Sequence, residues 1–132
     1  MKQRITFLLI CLVCCSSLNA QYQHLLHKTH AQRVALLVDL YHHQLIHDDS
    51  ATIFHKINTI RKLAIDNADD ELLMEAGLLR AHYFYYRDKD PALVLSILDS
   101  LKAQGIKRKM IWLEALAENV MALYNFNQLK QY

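Results

Sequence analysis

Three stretches decide the reading: VALLVDLY (Val34–Tyr41), AGLLRAHY (Ala76–Tyr83) and AENVMALY (Ala117–Tyr124). They align without gaps. Each sets a small or branched apolar residue first, Leu or Val three places later, and Tyr four places after that. Those offsets share one stripe of an α-helix, so each copy presents the same contact surface. The copies recur about every 41 residues, inside the range of roughly 20–50 that marks helical repeat arrays.

Working outward, the intervening segments read as partner helices. Val34, Leu37, Val38, Tyr41 and Leu45 form the first stripe. After HDDS, Ser50 is the expected N-cap of a second helix carrying Ile53, Ile57, Ile60 and Ala64. Asp69 or Asp70 caps a third, with Leu72, Ala76, Leu79, Tyr83 and Tyr86. Asp90 caps a fourth and Pro91 takes its first position, where no N–H is needed. Its stripe is Val94, Ile97, Leu98 and Leu101, with Gly105 as the left-handed exit. A fifth helix is expected from Lys107 to Tyr124, with Leu113, Ala117, Val120 and Tyr124 on one face. Connections this short fold consecutive helices into antiparallel hairpins.

Roughly ten residues beyond the first two repeat tyrosines stand Ala51 and Ala92, small residues that let paired helices approach closely. In the third unit that position lies past Tyr132, so a sixth helix is expected to be truncated and the chain to be the front of a longer protein. The helix face bearing Val120 and Tyr124 would then lie open, and self-association through it is expected.

The chain has 132 residues with only 2 Gly and 1 Pro, where average usage would give roughly nine and seven. That scarcity of turn formers argues against a sandwich or barrel. At 53% apolar and 21% charged residues, the composition is too apolar for disorder.

The first residues have a different purpose. Lys2 and Arg4 precede the uncharged run ITFLLICLVCC, and SSLNA ends on a small residue before Gln21. This is the order of a secretory signal peptide. It divides the chain into a signal peptide at 1–20, a lead-in at 21–29 and a helical-repeat domain at 30–132. An exported, periplasmic or extracellular protein is expected, with an acylated Cys15 or an uncleaved anchor as alternatives. All three cysteines lie in the leader, so the mature chain has no thiol. Without the leader the chain loses two of its 15 basic residues and balances its 13 acidic ones, so charge does not argue for nucleic acid. No membrane span is expected after the leader.

The layout resembles a tetratricopeptide-repeat array, on Leu79, Tyr83 and Ala92 in the second unit and on Trp112 as a leading aromatic. Arg80, Ser96 and Asp99 depart from the motif, and the period exceeds its usual value of about 34. The resemblance implies a right-handed superhelical, all-α solenoid of helix hairpins, with Leu37, Tyr41, Leu79, Tyr83, Ala92, Val120 and Tyr124 in the repeat core. It also implies a protein or peptide partner laid along the first helices, where Phe84 and Tyr85 would face a groove and Gly77 and Ala81 would leave room. Exported arrays of this kind resemble the sensory front ends of membrane-bound regulators and kinases, a second reading.

A third reading is a metal-binding module. His43 and His47 stand four apart, a spacing that chelates metal when both sit on one helix face, and Asp48 and Asp49 are nearby. A solvated polar stripe is the simpler account. KAQGIKRK (Lys102–Lys109) reads as a solvated basic turn. No nucleophile elbow, phosphate-cradling loop or paired-carboxylate cleft is evident, so neither catalysis nor a cofactor is expected.

Overall fold

Helix ends carry the organisation of this chain. The computed structural model describes residues 20–88 and 90–129, and the expected leader with Cys15 lies outside them apart from Ala20. After a single-turn 3₁₀ segment at Gln23–His27 come five α-helices: α1 His30–Leu40, α2 Ser50–Asp66, α3 Asp70–Tyr83, α4 Pro91–Arg108 and α5 Ile111–Leu129. The fold is all-helical, with no strand among the described residues. No described helix is long and apolar enough to cross a membrane.

Four of the five starts have a side-chain cap. Thr29 opens α1 in a capping box with Gln32. Asp49, one residue before the expected Ser50, caps α2 by accepting the Thr52 N–H at 3.0 Å. That hydrogen bond holds the Asp49 carboxyl below its ordinary pKa. Asp69 accepts from the Leu72 N–H at 2.9 Å and opens α3, and Asp90 accepts from the Leu93 N–H at 3.0 Å and opens α4.

The ends repeat too. Ala68 and Lys109, 41 residues apart, both take a left-handed backbone (φ 52° and 58°). The next residue in each case donates its N–H five residues back, Asp69 to Ala64 at 2.9 Å and Met110 to Gly105 at 2.8 Å. These are two copies of one Schellman closure. Asp49 and Asp90 are likewise 41 residues apart. The period visible in the tyrosines is therefore also written in the caps.

Two expectations about α4 change. It continues to Arg108, so Lys107 and Arg108 close it, where cations favour the helix dipole. Gly105 is not the left-handed exit but a buried helical residue. A Cβ there would stand 3.2 Å from the Glu114 nitrogen and 3.3 Å from Leu113 Cβ. It is the close approach of α5, not a turn, that calls for glycine.

The chain divides into two units, with the boundary between Leu73 and Met74, inside α3. In the first, the stripe Ile53, Ile57, Ile60 and Ala64 on α2 is at most 1% exposed. Tyr22 and Leu25 from the lead-in, Leu37, Leu40, Tyr41 and Leu45 from the first helix and Leu72 from α3 are buried as well. Burying a side chain of this size contributes about 1.5–3 kcal/mol before ordering entropy. Arg33, only 4% exposed, reaches Asp69 at 2.6 Å and Glu71 at 2.7 Å.

In the second unit, α4 packs along α5. Lys102 bridges to Glu118 at 2.7 Å while Gly105 meets Leu113, so the two helices run antiparallel. The Glu118 carboxylate raises the Lys102 ammonium pKa. Val94, Leu98, Leu113 and Ala117 are fully buried between these helices and their neighbours. Ala92 is not part of this core: it lies in the first turn of α4 and is exposed. The small residue that admits a close neighbour is Gly77 on α3, where a Cβ would be 2.8 Å from Leu101 Cδ2.

Candidate functional site

At the first repeat tyrosine and just past the second, the helix changes gauge. Tyr41–Leu45 and Phe84–Asp88 are π-helical turns, each continuing the α-helix before it. A π turn takes more residues per revolution than an α turn, so every side chain within it is rotated away from its α-helical position. Such turns cluster at functional sites.

The second π turn opens a cleft. His82, Tyr85 and Tyr86 form one wall, and Val120 and Leu123 of α5 form the other. The cleft holds about 80 Å³. Tyr85 and Tyr86 meet edge to face, with centroids 4.6 Å apart and planes at 82°. His82 lies 5.9 Å from the Tyr86 ring. The Tyr85 ring is in turn 5.7 Å from Tyr124 at 70°, and its hydroxyl accepts a hydrogen bond from Asn127 Nδ2 at 2.7 Å. One tyrosine is thus clamped while the other, 55% exposed, faces solvent.

Of the four groove residues expected from sequence, Tyr85 alone lines this cleft. Phe84 is buried, with its ring 5.3 Å from Tyr83 and the Arg80 guanidinium 5.7 Å above it. Ala81 is buried and Gly77 is turned to Leu101. The reason lies in α3 itself: Gly77, Ala81 and Phe84 share one side of the helix, and that side is packed, so the face expected to form a groove is covered. His82, Tyr86, Val120 and Leu123 were not singled out as binding residues. The run of four aromatics, Tyr83 to Tyr86, is the sequence signal that marks this end of α3.

The repeat-core positions fall as follows. Tyr41, Tyr83 and Tyr124 are 3%, 1% and 7% exposed, Leu37 and Leu79 are buried, and Val120 is half-buried on the cleft. The face of α5 that carries Tyr124 is therefore covered by Tyr85. The open large apolar residues on that helix are Ile111, Leu123 and Phe126, 79%, 52% and 54% exposed.

The histidine pair falls on the first π turn. His43 is within it and His47 lies beyond its end, both exposed. The two histidines therefore do not share one continuous α-helix. His43 instead sits 3.4 Å from Asp39. Among the described residues the pair is not gathered with a third ligand. No protein-family model matches the chain, and neither a curated protein nor a solved structure matches it.

Proposed function

We propose that the chain is an exported, non-catalytic interaction scaffold of tetratricopeptide-like hairpins that binds a protein or peptide partner on the face formed by the second π turn and α5. One observation carries the reading. Tyr86 and Leu123, each more than half exposed, border a preformed aromatic cleft whose central tyrosine is held by Asn127 and Tyr124. Exposed aromatic and aliphatic side chains around a fixed pocket are the usual anchors of interfaces. Repeat arrays present such surfaces along their first helices. The recurring caps and closures at a period of 41 residues support a repeat, and the antiparallel α4–α5 pair is the hairpin such an array is built from. The leader order of residues 1–20 supports export.

The test is selection of peptides from a random display library on the mature chain. Enriched peptides are expected to share a motif and to lose at least about tenfold in affinity with Tyr86→Ala or Leu123→Ala, a loss of the size seen at interface anchors. Peptides that bind the double variant as well as the original chain would sink the assignment.

A further inference from the structure

We propose that the cleft between the second π turn and α5 is a receptor for a quaternary ammonium headgroup. This goes beyond the partner reading, because a headgroup needs no protein to carry it. Size comes first. The cleft is small, at about 80 Å³. Pockets for whole cofactors or drug-sized molecules start near ~300 Å³. One compact group fits.

Polarity comes next. The walls are His82, Tyr85, Tyr86, Val120 and Leu123, with no carboxylate among them. A primary ammonium entering here would exchange water for a wall that offers few acceptors to its three N–H donors. A quaternary ammonium has no N–H to satisfy, and its methyl groups suit Val120 and Leu123. The rings then supply the attraction. Tyr85 and Tyr86 meet at 82°, and two perpendicular π systems make the corner in which a cation is flanked from two sides, as aromatic cages do. His82 borders the corner on the Tyr86 side. Tyr85 is fixed beforehand by Asn127 and Tyr124, so little ordering is needed on binding.

The experiment titrates the mature chain with choline and with dimethylbutanol, its carbon isostere, and follows aromatic and methyl resonances by NMR. Choline is expected to shift Tyr85, Tyr86, Val120 and Leu123 and to bind roughly fivefold or more tighter than the isostere. Tyr86→Leu should erase that preference and Tyr86→Phe should keep it. Because Tyr86 is 55% exposed, both variants should fold, which their amide spectra will verify. Sedimentation with phosphatidylcholine and phosphatidylglycerol vesicles identifies the source. Retention on the first alone points to a lipid headgroup, and choline binding without retention points to a free solute. Equal affinity for choline and its isostere, or no shift at the cleft, overturns the proposal.

Discussion

Arg33 sits where an aliphatic side chain would be expected, one turn before Leu37 on the inward face of α1, and it is as buried as its neighbours. A guanidinium in that place needs its charge answered, and Asp69 and Glu71 do so at 2.6 and 2.7 Å. Asp69 has a second task, since its other oxygen caps α3. The carboxylates are 21% and 35% exposed, so removing the cation would cost less than for a fully enclosed pair. Arg33→Met is expected to destabilise by about 2–3 kcal/mol. Asp69→Asn, which preserves the cap, should lose less. Urea denaturation of the variants measures both, and a loss for Arg33→Met under ~0.5 kcal/mol would mean an exposed-type pair of little consequence. Sequence gave little hint of this lock. Residues more than thirty positions apart meet only once α1 and the α2–α3 turn are placed, and an acidic cap reads the same with or without a buried arginine against it.

At the level of elements, the two left-handed closures are a shared weakness. Ala68 and Lys109 hold φ values of 52° and 58°, a region that costs a residue with a Cβ roughly 1–2 kcal/mol. Glycine avoids that cost but gives up some of the gain through its freer unfolded chain. Ala68→Gly and Lys109→Gly are each expected to stabilise by about 0.5–1 kcal/mol, read as a raised urea midpoint at unchanged slope. A lowered midpoint at either position would show that the turn is not set by backbone strain. These elements also mark how far sequence reaches. The stripes on α2 and α4, the Asp90–Pro91 start and the Asp69 cap follow from periodicity and hydrogen-bonding chemistry that act locally. The helix ends at Tyr41–Leu45 and Phe84–Asp88 do not, because a pattern of three and four presumes α geometry throughout. Where the helix widens, the same residues take new directions. In the second of these turns Phe84 is buried while Tyr86 is exposed. Gly105 was misread for another reason: a glycine that ends a helix and one that lets a neighbour approach look alike until α5 is packed beside it.

For the whole molecule, the unit boundary inside α3 raises the question of how cooperatively the chain unfolds. Repeat proteins distribute stability over units and their junctions, so parts can open separately. Here the first unit has its own apolar stripe on α2 and its own charge lock at Arg33, while the second has the buried set on α4 and α5. Each therefore has a buried set of its own. Leu98 is 0% exposed in the second unit, and Leu98→Ala should cost about 2–5 kcal/mol there by leaving a cavity. Hydrogen exchange on this variant is expected to show amides of α4 and α5 losing protection well ahead of those at Ile53, Ile57 and Ile60 on α2. Asp70–Leu73 should follow the first group of amides or the second according to which unit that turn of α3 belongs to, and the division at Leu73 assigns it to α2. If protection falls by the same factor on α2, α4 and α5, the chain unfolds as one body, and the periodic caps describe its geometry without dividing its stability.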